Sequence, residues 1–209
     1  MQKSILTLIL GLGLAGAAVA AELNVAPAAW NVRPGWEVTA DKVKFAPEIK
    51  NAFILPKEKL EPGQMSFETD ITITGKNAPD GIWKVAGIIV GRDSRNFIQL
   101  GFVESPDKEG ARRFIELKQM REGKWGSVEG LDGKEFRSNV AVENNQVYKL
   151  KLTLGKDGAT GTVADSTGKV IADLKMPFLA SGEAVNSGAP MLRAAGYTGE
   201  FANLKAETK

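Results

Sequence analysis

The chain has 209 residues, with 27 lysines and arginines against 25 aspartates and glutamates, and a net charge of +2. It contains no cysteine and no histidine, which excludes disulfides and a lipid-modified cysteine, and with them Ser-His or Cys-His nucleophilic catalysis and ordinary zinc sites. The basic residues are interspersed with acidic ones rather than massed on one segment, so the sequence implies no polyanion partner and leaves no electrostatic footprint for nucleic acid.

Lys3, the apolar run Ile5 to Leu14 and the small residues Ala15 to Ala21 form the charged, apolar and cleavable parts of a secretory signal peptide. Ala18-Val19-Ala20 fits the cleavage rule, so residues 1–20 are read as the signal peptide and residues 21–209 as a single β-sandwich domain. This places the protein outside the cytoplasm, in a periplasm or beyond the cell. The run is short and glycine-rich for a span of about 20 residues, and no later segment is long and apolar enough to cross a bilayer.

Trp36 to Val38, Lys42 to Phe45 and Ala52 to Leu55 read as short strands, followed by a charged loop, Pro56 to Gly63, bounded by prolines. From Ser66 to Thr74 alternation is strict: Phe67, Thr69, Ile71 and Ile73 point to a core, and Glu68, Asp70 and Thr72 to water. Lys84 to Val90 is uniformly apolar, as in a strand covered on both faces, and Phe97 to Val103 resumes alternation. Arg112 to Met120 and Lys124 to Val128 form a predicted hairpin about Glu122-Gly123, and Val140 to Val142 a short strand. Tyr148 to Leu154 alternates, turns at Asp157-Gly158 and resumes as Ala159 to Val163. A turn at Asp165 to Gly168 and a closing pair ending in Glu200 to Ala206 complete a run of consecutive antiparallel strands. Short strands at roughly ten-residue spacing and no amphipathic helix predict an all-β, two-sheet antiparallel jelly-roll sandwich.

The segments Phe67 to Ile71, Gly87 to Gly91, Asn96 to Leu100, Tyr148 to Leu152 and Phe201 to Lys205, in this order and spacing, resemble the concanavalin A-like lectin/glucanase superfamily. The likeness runs from about Trp36 to Lys205. It implies a jelly roll of the kind found in sugar-binding lectins, laminin-G-type interaction modules, glucanases and secreted bacterial relatives of keto-disaccharide hydrolases. Laminarinase-like members carry Glu-x-Asp-x-Glu on a strand facing the cleft. Here the comparable strand reads Glu68-Thr-Asp70-Ile-Thr72, so the motif is incomplete and Thr72 replaces its second glutamate.

Glu68 and Asp70 share one strand face about 7 Å apart, close enough to approach the about 5–5.5 Å separation of a retaining carboxylate pair. They are the weak catalytic candidates, and a glycoside-cleaving reading needs a further acid such as Glu104 or Glu116 in the same cleft. The alternative is a wet-face role, pairing across strands with Lys149 or Lys151. Sugar binding calls for an aromatic platform beside hydrogen-bonding groups, and Trp83 and Trp125, each next to a loop or hairpin tip, are the ligand-binding candidates, with core packing as the alternative. Trp30 and Trp36 are assigned to clamping the N-terminal segment. Asp93, Ser94 and Asn96 put three oxygen-bearing side chains in one loop, making Asp93 and Asn96 weak calcium candidates, although turn chemistry also explains them. No cofactor is expected otherwise. The leading expectation is an exported, non-catalytic sandwich binding a polysaccharide or surface glycan. Its alternatives are a carboxylate-dependent glycoside-cleaving enzyme and a structural or protein-interaction module without a sugar site.

Overall fold

The computed structural model describes residues 21–106, 112–126, 137–140, 142–178 and 185–208, and the expected signal peptide lies outside them. The strands are β1 (Glu22–Leu23), β2 (Trp36–Val38), β3 (Lys42–Phe45), β4 (Phe53–Ile54), β5 (Met65–Lys76), β6 (Lys84–Asp93), β7 (Asn96–Glu104), β8 (Arg113–Arg121), β9 (Lys124–Gly126), β10 (Arg137–Ser138), β11 (Val147–Leu154), β12 (Gly158–Ala164), β13 (Val170–Pro177), β14 (Ala189–Ala195) and β15 (Tyr197–Thr208). Two short 3₁₀ turns, Pro27–Ala29 and Ile49–Asn51, interrupt them.

The first sheet has the order β13-β12-β11-β5-β15-β3-β2, with β1 on β15. The second has the order β10-β8-β7-β6-β14-β4, with β9 on β8. Every pairing is antiparallel, so the predicted two-sheet β-sandwich is the observed one. The alternation read in Ser66 to Thr74 sends Phe67, Ile71 and Ile73 of β5 inward. There they meet Ile88 and Val90 of β6, Ile98, Leu100 and Phe102 of β7, and Leu150 and Leu152 of β11 in one core. Trp30 is fully buried, stacks on Phe67 at 6.2 Å between ring centroids and donates Nε1–H to Val25 O at 3.0 Å. Trp36 stacks on Phe201 at 6.4 Å and donates to Asn51 O at 2.7 Å. The two indoles thus pin the N-terminal segment to the core.

One reading of the chain order is corrected. After β11, β12 and β13, which do lie side by side, β14 crosses to the second sheet and β15 inserts between β5 and β3. β14 shows no alternation because it is covered on both faces; Met191, Leu192, Ala194 and Ala195 are all buried. Of the short strand expected at Val140 to Val142, Ala141 lies outside the described residues; a short strand stands at Arg137–Ser138, where Arg137 pairs in register with Glu116 and ion-pairs with it.

An ionic cluster closes one end of the core. Glu104, only 1% exposed, contacts Lys76 at 2.7 Å, Lys84 at 3.0 Å and Arg113 at 2.9 Å, and accepts a hydrogen bond from the Tyr197 hydroxyl at 3.4 Å. Burial pushes its carboxyl up, but hydrogen bonds from Lys76, Arg113 and Lys84 outweigh burial and bring it down to about 2. Burial and the Glu104 charge push the Tyr197 phenol well above its ordinary value.

Candidate functional site

The two outer faces differ in kind. On the first sheet the outward positions of β5 and its neighbours are hydrophilic and mutually paired: Lys149 and Lys151 reach Glu68 at 3.5 and 3.6 Å, Lys42 reaches Glu200 at 2.7 Å, and Asn203 donates to Asp70 at 2.7 Å. Glu68 and Asp70 therefore stand on this wet face. Glu104 lies inside the far end of the core and Glu116 on the outer face of the opposite sheet, so the structure brings neither to them.

The outer face of the second sheet is organised by register. One row across it runs Arg137, Glu116, Gly101, Gly87, Arg193, Phe53, and the next runs Lys118, Gln99, Ile89, Met191. Because the glycines stand side by side, no side chain rises between Glu116 and Arg193 in the first row. A side chain at Gly87 would meet the Leu100 carbonyl oxygen at 2.2 Å and Gly101 Cα at 2.5 Å, so these strands approach too closely for one. The result is a cleft of about 270 Å³ lined by Trp83, Val85, Gln99, Val103, Glu116, Lys118, Trp125, Arg137 and Arg193, with Lys84 below.

Trp83 and Trp125 flank this cleft and are 55% and 41% exposed. Gly81, in the left-handed region at φ 88°, turns the loop that delivers Trp83, whose ring meets Phe114 edge-on at 6.5 Å. Glu122 and Gly123, at φ 51° and 79°, make the tight turn from β8 into β9 and set Trp125 opposite Met120, edge-on to Phe97 at 5.7 Å. Each indole thus rests on a buried ring beneath it.

The polar groups between them are held in place. Arg137 donates Nε–H and places Nη2 on Glu116 Oε1, both at 3.0 Å, while its guanidinium lies 4.6 Å from the Phe114 centroid. Lys118 reaches the same carboxylate at 3.5 Å and lies 5.2 Å from the Trp125 ring. Arg193 sits among Phe53, Phe97 and Trp125, at 5.1, 5.7 and 5.2 Å, and donates through Nη1 to Oε1 of buried Gln99. Its Nε is buried without a hydrogen-bond partner. Burial pushes its guanidinium down to about 10, with Glu116 pulling the other way, so it remains cationic at neutral pH.

Sequence reasoning singled out Trp83, Trp125 and Glu116 but missed Gln99, Lys118, Arg137 and Arg193. For Gln99 and Lys118 a signal existed: both are polar, outward positions of strands whose opposite positions are core. The calcium candidates form a turn, with Asp93 accepting from the Arg95 N–H at 2.7 Å and from the Asn96 amide at 3.1 Å, and Asn96 Oδ1 accepting from the Glu122 N–H at 2.9 Å. Burial raises the Asp93 carboxyl, but these N–H donors and Arg95 bring it below the usual range. Among the described residues no group of three or more Asp and Glu forms a metal-ligating cluster.

No protein-family model and no curated protein matches the chain. Solved structures do. A carbohydrate-binding module, CBM66 from Bacillus subtilis, superposes with a TM-score of 0.58 at 16% identity over 86% of this chain and 96% of its own. The exoplasmic/lumenal domain of VIP36 in its Ca²⁺- and Man2-bound form gives 0.59 at 12% identity over 87% of this chain and 81% of its own. A xylan β-1,4-xylosidase from Bacillus halodurans gives 0.54 at 9% identity, over 87% of this chain but 37% of its own. At these identities the likeness is one of fold: the chain has the β-sandwich of carbohydrate-binding modules and lectins.

Proposed function

We propose that this is an exported, non-catalytic sandwich of the concanavalin A-like type that binds carbohydrate in the cleft between Trp83 and Trp125. The observation that carries the reading is the pair of exposed indoles, each supported by a buried ring, flanking the carboxylate, amide and cationic groups of Glu116, Gln99, Lys118 and Arg193. A sugar ring offers an apolar face for an indole and hydroxyls for such groups. The structures of similar fold include one described as a carbohydrate-binding module and one described with bound mannose sugars, which supports the same reading. Non-catalytic is proposed because glycoside hydrolysis employs two carboxylates flanking the scissile bond. Among the described residues the cleft is lined by one, Glu116, already paired with Arg137 and Lys118. Export rests on the signal-peptide pattern of residues 1–20.

The test is retention of the purified protein on a panel of immobilised neutral and acidic polysaccharides, with Trp125→Ala and Trp83→Ala as paired controls. Specific retention lost in both variants supports the reading. Retention on no polymer, or retention unaffected by either substitution, overturns it.

A further inference from the structure

Although the chain as a whole is nearly neutral, the fold gathers cations on the binding face. Beside the cleft, further along β14, lies a second and wider depression of about 510 Å³. Met191 lines the second and Arg193 the first, two residues apart on one face of β14, so their Cα atoms are about 7 Å apart. Among the described residues the cleft carries Lys118, Arg137 and Arg193 against one carboxylate, Glu116; Lys84 directs its ammonium to Glu104 instead. The second depression carries Arg33, Lys57, Lys59 and Arg92 against Glu58. Lys57 and Arg92 donate to uncharged oxygens, of Ala28 at 2.7 Å and of Asn186 and Ser187 at 3.3 Å, and neither ion-pairs with a described carboxylate. Arg33 and Lys59 are exposed. On the other outer face Lys42 pairs with Glu200, and Lys149 and Lys151 share Glu68.

We propose that the ligand is an acidic polysaccharide, its sugar units bearing carboxylates, which lies from the cleft between Trp83 and Trp125 along β14 into the second depression. The proposal rests on the carbohydrate-binding reading above and adds the charge and length of the polymer. Guanidinium groups suit carboxylates through paired N–H donors. The buried Glu116 and the amide of Gln99 match sugar hydroxyls, while the carboxylates of the polymer are assigned to the cations away from Glu116.

Affinity electrophoresis of the purified protein in polygalacturonate, set beside the same polymer fully methyl-esterified, isolates charge from sugar shape. Binding to the acid form is expected to be at least about tenfold tighter and to weaken as salt rises. In Arg33→Gln/Lys59→Gln, whose changes are on exposed side chains, it is expected to weaken by about threefold or more. Equal binding to both polymers overturns the charge assignment while leaving the carbohydrate reading standing. Binding to neither polymer, where a neutral polysaccharide of the panel is retained through Trp125, overturns it in the same way. Retention of no polysaccharide at all overturns both. A double variant that binds acid polymer as the parent does overturns the extension into the second depression, and tighter binding of a single-stranded oligonucleotide than of polygalacturonate overturns the polysaccharide as ligand.

Discussion

Glu104→Gln tests whether the ionic cluster at the end of the core stabilises the fold. The carboxylate is 1% exposed and faces three cations, of which Lys84 is equally buried. Its folded value of about 2 lies below the ordinary 4.5, a difference worth about 3 kcal/mol at neutral pH by linkage. A depressed carboxylate contributes its stability fully above the unfolded value and loses it as pH falls through about 4.5 towards 2. Glutamine keeps the shape but removes the charge, leaving buried Lys84, among the described carboxylates, with exposed Asp80 at 3.7 Å as its counter-charge. Breaking a buried ion pair in this way costs about 3–5 kcal/mol. Urea denaturation followed by the fluorescence of buried Trp30 and Trp36 therefore gives a gap of about 3 kcal/mol or more between parent and variant at pH 7, closing towards zero near pH 2. Other carboxylates titrate in the same range but cancel in the difference. Parallel stability profiles, or a gap below about 1 kcal/mol at pH 7, refute the argument.

Trp83→Ala and Trp125→Ala are each expected to weaken polysaccharide binding by about 1–2 kcal/mol, roughly 5- to 30-fold, as for an aromatic anchor. Titration calorimetry against the retained polymer measures this. Gly87→Ala forces a methyl group into the β7 backbone and is expected to cost about 1–3 kcal/mol, lowering the thermal midpoint by roughly 2–12 °C; an unchanged midpoint in a calorimetric scan contradicts the close approach of β6 and β7. Arg193→Met removes the buried guanidinium while keeping an unbranched chain among the three rings. Relief of the unpaired Nε offsets the loss of the donor to buried Gln99 Oε1, so unfolding free energy is expected to fall by no more than about 1–3 kcal/mol, with binding of an acidic polymer falling about tenfold. A large loss of stability with binding intact would instead make Arg193 a structural residue.

What the chain made legible was local. Strict alternation in β5 and β11 named their inward residues, and Glu122-Gly123 announced the turn that displays Trp125, because period and turn chemistry act over a few residues. The partners of β14 and β15 were not legible, since a strand buried on both faces loses its period and the insertion of β15 between β5 and β3 is decided by pairings more than a hundred residues away in sequence. The same limit hid most of the site. That Arg137, Glu116 and Arg193 stand in one row follows from the strand order β10-β8-β7-β6-β14, not from any spacing in the sequence. Once the order is known, the cost of the arrangement becomes informative. A buried donor without a partner costs about 1–3 kcal/mol, and Arg193 leaves its Nε in that state while three aromatic rings exclude water from its faces. A leucine or methionine would remove that orphan but leave the Oε1 of buried Gln99 without its donor. The fold tolerates the guanidinium on the face that also carries two displayed indoles and, among the described residues, more cations than carboxylates. An unpaired buried donor beside two displayed indoles is the arrangement that the proposed ligand site would use, and core packing alone gives no reason for it.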